Sequence, residues 1–443
     1  MKKLAVLLLI VPIISLAQPP ALKVGTAVAD ITPETPIWLS GYAVRQKPAA
    51  GVLQPLHAKA LAIDDGQGGN IVIVTVEVLG LSKEIVDEVR AKAGMGRIND
   101  HSRILFNSSH THTGPVIWPC LDVVYELAPD DQRQIAAYRQ KLTGLLVGII
   151  DSALARMTPA KLYFGRGSAG FAINRRGAIN PNGPIDHEVP VLKITSPTGE
   201  LRAMLFGYAC HNTTIEDEFQ YVNGDYSGYA MEELERSNPG ATAMFMIGCA
   251  GDQNPEPRGK LSQAKDHGAE LAGSVNAVLK ASMTEVHGPI RTARTDFDLP
   301  FAAVDPLVYQ KDILGDNIYK QRRAKLMLQA YNKGWNVDAY KYPIQVVRFG
   351  KDLTILGLAD EVVVDYSLWN KKRYPKENLF VAGYCNQVNC YIPTKRLLKE
   401  GGYEPDESMI YYGFPGSYKP EVEDIIMAKI DFVMKAVGVK AVK

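Results

Sequence analysis

Cysteine is scarce in this chain: five in 443 residues, at positions 120, 210, 249, 385 and 390, with no Cys-x-x-Cys pair among them. The missing pairs exclude a cysteine-built zinc module. An odd number gives no complete disulfide framework, although one bridge remains open and sequence does not choose its partners. Cys210, Cys249 and Cys385 lie in or just after apolar runs, where a thiol behaves as a small hydrophobe. An excess of one charge is also lacking, since 49 Lys and Arg oppose 48 Asp and Glu. That near-neutral balance argues against nucleic acid as a partner, which needs a basic face. No Ser/Gly-rich or charged linker divides the chain, and no repeat of about 20–50 residues recurs. One large domain is therefore expected, despite a length that would hold two or three.

Long hydrophobic runs are missing too, with one exception at the start. Met1-Lys2-Lys3 leads into an apolar stretch that closes with Ser15-Leu16-Ala17 before Gln18. A basic start, a short apolar core and small residues at the exit make a secretory signal peptide over 1–17. The stretch is too short for a bilayer, which needs roughly 20 residues. The mature chain is expected to be 18–443, released into the periplasm or outside the cell.

What the sequence does contain is six apolar runs, each ending in a chemically capable side chain. They are 71–76 before Glu77, 103–106 leading to His110 and His112, and 205–210 before His211. The others are 244–247 before Gly251-Asp252, 354–358 before Asp360-Glu361, and 379–384 before Asn386. In open α/β sheets ligands sit beyond the carboxyl ends of strands, so the six endings read as the wall of one site. Between them, 82–93, 131–156 and the segment after Gly251-Asp252 carry helical periodicity. In the last of these, Ala264, Gly268, Leu271, Val275 and Val278 share a face. Residues 305–340 also read as helical, 342–349 and 352–358 as a hairpin around Gly350-Lys351, and the stretch after Pro420 as a closing helix. The expected fold class is layered α/β, sheets flanked by helices.

His110 and His112 are two apart at a strand end, a spacing that places both imidazoles on one face. His211 is the natural third nitrogen and Glu361 a carboxylate ligand. Two His and a carboxylate with one open position form a catalytic zinc arrangement. The plainer alternative is a set of hydrogen-bonded loop histidines.

Several ordered motifs then resemble the catalytic domain of neutral, non-lysosomal ceramidases. They are Val24-Gly25-x-Ala27-x-x-Asp30-Ile31-Thr32-Pro33, Gly41-Tyr42, Asn107-Ser108-Ser109-His110-Thr111-His112-Thr113-Gly114-Pro115 and Asn174-Arg175. His211-Asn212-Thr213, Gly224-Asp225-Tyr226-Ser227-Gly228-Tyr229, Gly251-Asp252 and Tyr391-Ile392-Pro393-Thr394 continue the likeness. The resemblance implies a zinc amidase that cuts the N-acyl bond of ceramide. It further implies Zn2+ held by His110, His211, Glu361 and Tyr391, with His112, Arg175, Asp252 and Asn254 as catalytic candidates. The implied partner is a small-molecule or lipid substrate with transient membrane-surface contact, and no C-terminal β-sandwich domain is expected. One position departs: Asn254 stands where the family usually has Ser, in Gly251-Asp252-Gln253-Asn254-Pro255. An amide can donate to an oxyanion but cannot be a nucleophile. A different amide or ester, such as a cell-envelope amino sugar or lipid, remains an alternative on the same scaffold. A non-enzymatic lipid- or glycan-binding protein with a retained metal site is the third.

Overall fold

The structure, a computed structural model, describes residues 22–442 apart from 99, 118–120, 122 and 336. The expected leader and Cys120 lie outside the described residues. One order of elements, β-β-β-α-β-α, occurs three times. The first run is β1 (Lys23–Asp30), β2 (His57–Asp64), β3 (Asn70–Val76), α1 (Lys83–Lys92), β4 (Ile104–Ser108) and α2 (Pro129–Ala155). The second is β5 (Lys161–Ser168), β6 (Glu188–Thr195), β7 (Leu201–Tyr208), α3 (Asp225–Ser237), β8 (Thr242–Ile247) and α4 (Leu261–Lys280). The third begins with β9 (Ile290–Pro300) and then inserts a hairpin of α5 (Leu307–Leu314) and α6 (Ile318–Asn332). It resumes with β10 (Ala339–Phe349), β11 (Leu353–Leu358), α7 (Asp365–Arg373), β12 (Leu379–Ala382) and, further on, α8 (Val422–Ala436).

In each run the first three strands are antiparallel and the fourth lies parallel to the third. The helix between them causes this, because a crossover returns the chain to the start of its sheet. The six apolar runs read from sequence are these three parallel pairs. A strand pair buried on both faces needs a near-continuous apolar run, which is why they stood out. The repetition is one of geometry, so self-similarity in the sequence did not announce it.

Each sheet turns one face to its own helices and the other to a core shared by all three. Alternation along the strands sorts the side chains. On β3, Val72 and Val74 pack toward α1 and α2, while Ile71 and Ile73 enter the shared core. On β8, Phe245 faces the layer of α3 and α4, and Met244 and Met246 turn inward. Glycines let the sheets approach: a Cβ at Gly207 of β7 would come within 2.7 Å of Phe380, and one at Gly357 of β11 within 2.9 Å of Leu105. Asn107 of β4 pins the junction. Its Oδ1 accepts from Ile247 N of β8 at 3.0 Å, and its Nδ2 donates to the Gly383 carbonyl beyond β12 at 2.7 Å.

Ser82 caps α1 by accepting from Ile85 N, and α4 buries the five residues expected of it. The run 305–340 is a correction: Gly315 and Asp316 break it into α5 and α6, and the chain is extended again from Ala339.

Candidate metal centre and active site

Several strand exits turn through left-handed backbone: His110 (φ 63°), Asp360 (61°), Tyr384 (53°) and Asn386 (68°). Non-glycine residues rarely adopt this conformation, and where they do it clusters at functional sites. His110 and His112 are close, with ring centroids 4.9 Å apart, but strand alternation is not the cause. β4 ends at Ser108, so both lie beyond it. His112 is instead held through its backbone, which donates to the Asn212 carbonyl at 3.3 Å and accepts from Arg45 Nη1 at 2.6 Å.

The centre is built from three sheets. His110, from the first, donates from Nδ1 to the Leu79 carbonyl at 2.6 Å. His211, from the second, faces the carbonyls of Ala250 and Gln253 with Nδ1, at 2.7 and 3.1 Å. A carbonyl only accepts, so each Nδ1 carries the proton and each Nε2 presents a lone pair. Glu361, from the third, sets Oε2 3.2 Å from His110 Nε2 and 2.9 Å from His211 Nε2. The Tyr391 hydroxyl is 3.4 Å from His211 Nε2. The ligand nitrogens of His110, His112 and His211 all lie within 4.8 Å of one another. Burial, reinforced by Arg175, depresses the His211 pKa to about 4. Burial and the neighbouring imidazoles hold His112 well below its usual value. Burial pushes the Glu361 carboxyl up, while positive charge on the side of His110 and His211 draws it well below its usual value. Lone pairs converging on a buried carboxylate repel unless a cation lies between them. The donor set fits a metal ion, with backbone carbonyls orienting the imidazoles as outer-shell partners do.

A cavity of about 220 Å³ opens beside this group, walled by His110, His112, Glu361 and Tyr391, with Leu121 and Val124 on an apolar side. Arg175 stacks over the rings of Tyr391 and Tyr403, at 5.2 and 5.6 Å, and its Nε donates to Glu404 Oε1 at 2.8 Å. Burial opposes its charge, while Tyr391 and Glu404 sustain it. Asn254 lies one step further out, accepting from Arg175 Nη1 at 3.5 Å. Asp252 does not reach the cavity. Its carboxylate accepts from Val364 N, Asn174 Nδ2 and Gln253 Nε2, tying the Arg175 loop to the Glu361 segment. Glu77 and Asn386 depart from the single-wall reading as well. Glu77 accepts from His57 N in a separate crevice, and Asn386 accepts from Arg90.

Beyond Tyr391 and Tyr42, sequence reasoning missed four further tyrosines. Tyr384 packs 4.5 Å from the His110 ring. Tyr412 donates to Glu361 Oε1, and Tyr403 and Tyr411 line the cavity. The adjacent pair Tyr411-Tyr412 was the available signal. Gly41, quoted among the motifs, is needed here: at φ 98° a Cβ would sit 2.4 Å from His112 Nδ1.

The profile of the neutral/alkaline non-lysosomal ceramidases, N-terminal part, matches residues 22–298. The chain belongs to that ceramidase family. Neutral ceramidase of Pseudomonas aeruginosa is 25% identical over 253 residues, 53% of this chain and 37% of that protein. Neutral ceramidase A of Dictyostelium discoideum is 23% identical over 274 residues, 56% of this chain and 37% of that protein. Each match thus spans little more than a third of the relative's length. The crystal structure of the Pseudomonas aeruginosa neutral ceramidase superposes with a TM-score of 0.76 at 19% identity, covering 96% of this chain and 76% of that one. A ceramidase complexed with C2 gives a TM-score of 0.75 at 18% identity, with the same coverage. The shared fold therefore extends beyond the profile match into the segments that bear Glu361 and Tyr391.

Proposed function

We propose that this ceramidase-family chain is a zinc-dependent hydrolase of an N-acyl amide, ceramide or a related N-acyl lipid, and that it acts after export. One observation carries the reading: His110 and His211 each spend their Nδ1 proton on a backbone carbonyl, so both Nε2 lone pairs meet the Glu361 carboxylate. His110, His211, Glu361 and Tyr391 would hold the ion, a nitrogen and oxygen donor set suited to zinc. Bound there, zinc would polarise an acyl carbonyl and acidify water.

The protein's own groups account for the remaining work. Among the described residues neither buried ring nitrogen of His112 has a hydrogen-bond partner, and the ring is neutral, so it can take a proton from attacking water and return it to the departing amine nitrogen. Arg175 Nη2, buried and likewise without a hydrogen-bond acceptor among the described residues, supplies positive charge for the oxyanion. Tyr412 fixes one oxygen of Glu361 while the other faces the histidines. Asn254 steadies the Arg175 guanidinium, and because it cannot form an ester the reaction leaves no acyl-enzyme.

A second reading, a smaller amide or ester, is favoured by the cavity. At about 220 Å³ it falls below the roughly 300–1,000 Å³ of pockets that enclose a drug-sized ligand. A lipid substrate would place only its amide region inside, with its chains outside. Elemental analysis and a substrate panel decide between them. The expected result is close to one zinc per chain, lost in His211→Ala, with fatty acid and free amine released from an N-acyl sphingosine. Cleavage of esters or short acyl amino sugars alone would transfer the assignment to the second reading, and protein that stays metal-free in supplied zinc would end both. For export, the mature product should begin at Gln18 by mass spectrometry, and an intact Met1 would refute it.

A further inference from the structure

The threefold order of elements poses a question about the loops between first and second strands. Because those strands are antiparallel to each other and the third is antiparallel to the second, these loops lie at the same sheet end as the site residues. In the first sheet the loop 31–56 supplies Gly41, Tyr42 and Ala43 to the cavity wall. In the second, the loop 169–187 supplies Arg175, which stacks behind the wall residues Tyr391 and Tyr403. In the third, the loop is the α5–α6 hairpin, which contributes no residue to that wall yet is braced on it. Tyr319 donates to the Ala43 carbonyl at 3.0 Å and packs 5.2 Å from Tyr411, while Arg322 binds the Val124 carbonyl at 3.1 Å.

α6 buries Ala324, Met327 and Ala330, the first two clustered with Tyr309, but α5 and the start of α6 leave apolar side chains in solvent. The buried residue of α5 is Tyr309, whereas Leu314 is 86% exposed, Leu307 56% and Ile318 43%. Leu307 and Leu314 are seven apart and so share a helix face. Val44, next to the rim residue Ala43, is 59% exposed. Charge is concentrated here as well. Residues 307–335 hold six Lys and Arg against two Asp, in a chain whose overall net charge is +1. Arg322 and Arg323 are paired with Glu126 and Asp312, and among the described residues Lys311, Lys320, Lys325 and Lys333 have no ion pair. Exposed leucines beside unpaired lysines match the apolar and charged layers of an anionic lipid surface.

We infer that the α5–α6 hairpin docks the protein on an anionic lipid surface, holding the cavity mouth against it. Leu307, Leu314 and Ile318 enter the headgroup and acyl boundary, and the lysines meet anionic headgroups. The inference rests on the reading of the cavity as a lipid-amide site, and gives the substrate's chains a place outside the small cavity. Among the described residues no helix is long and apolar enough to cross a membrane, so this contact is peripheral.

Co-sedimentation of the full chain with vesicles tests it. Wild type should bind phosphatidylcholine vesicles containing phosphatidylglycerol, more weakly as salt rises, and should bind pure phosphatidylcholine less. The double variant Leu307→Asp/Leu314→Asp should lose at least about tenfold in affinity, the equivalent of one buried leucine. Lys311→Glu should lower binding to the anionic vesicles alone. Hydrolysis of a water-soluble short N-acyl substrate should be unchanged in these variants, which also shows that they fold. Wild type that ignores vesicles, or a double variant that binds as tightly, overturns the docking role. Self-association lost in the variant without vesicle binding would assign the face to a second copy and overturn it too. Absence of amide hydrolysis with vesicle binding intact would strike the proposed activity and leave the docking element standing.

Discussion

Asn107→Leu removes the side chain that joins the three sheets while keeping its approximate size. The two short bonds lost are those with the Ile247 N–H at 3.0 Å and the Gly383 carbonyl at 2.7 Å, and the longer Nδ2 contacts with the Ile247 carbonyl at 3.4 Å and Cys385 Sγ at 3.6 Å go with them. An unmet buried polar group costs about 1–3 kcal/mol. The Gly383 carbonyl retains the Cys385 thiol as a donor at 3.3 Å, so its share is at the low end, and the total is about 2–4 kcal/mol. With an unfolding entropy of about 2.1 cal/mol/K per residue, a chain of this length should lose roughly 2–5 °C in Tm. The same change should loosen the metal, because His110 follows three residues after Asn107 and takes its position from that strand end. Thermal scans and metal analysis of the purified variant measure both. A Tm within about 1 °C of wild type, together with full metal content, would refute the idea that Asn107 aligns the strand ends.

Tyr412→Phe should weaken metal retention by about 10–100-fold, the usual loss when a group orienting a ligand is removed, read by competition with a chelator; unchanged retention would make that hydroxyl incidental. Asn254→Ala should slow turnover by about fivefold with metal content intact, since it forfeits one hydrogen bond to Arg175 worth about 1 kcal/mol, and an unchanged rate would show that Arg175 needs no such tether. His57 gives a pH test: its hydrogen bond to Glu77 raises its pKa above the ordinary value against partial burial. A raised folded pKa means its contribution is fully present below about pH 6.5, the unfolded value, and disappears as pH climbs through the folded one. The Tm gap between wild type and His57→Gln should therefore be widest below pH 6.5 and close under alkaline conditions, and a gap independent of pH would contradict this.

The strands that build the site were legible because a parallel pair buried on both faces needs continuous apolar residues, and 71–76, 244–247 and 354–358 all show it. The motif around His110 and His112 pointed to the right family, and His211 and Glu361 do meet those histidines. The division of labour at the strand ends was not legible. Glu77, Asp252 and Asn386 have the same residue types as the groups that meet at the centre, but they are spent on backbone and side-chain amides, a histidine and an arginine, most of them brought near by tertiary folding. Tyr384, just past a strand, and Tyr412, at the end of the short helix Ser408–Tyr411, were missed for a related reason: an aromatic at the end of an element reads as packing until its contacts are known. The break at Gly315-Asp316 was hidden by apolar periodicity on both sides of it. The threefold geometry was invisible because each sheet repeats directions and pairings, not side chains.

The central claim is that His110, His211, Glu361 and Tyr391 hold zinc for amide hydrolysis. Anomalous diffraction from crystals of the wild-type chain, recorded on both sides of the zinc edge, tests this most directly. The predicted result is one peak among His110 Nε2, His211 Nε2 and Glu361 Oε2, within bonding reach of the Tyr391 hydroxyl. Zinc bound at another position, or no peak in crystals grown with zinc, would contradict it.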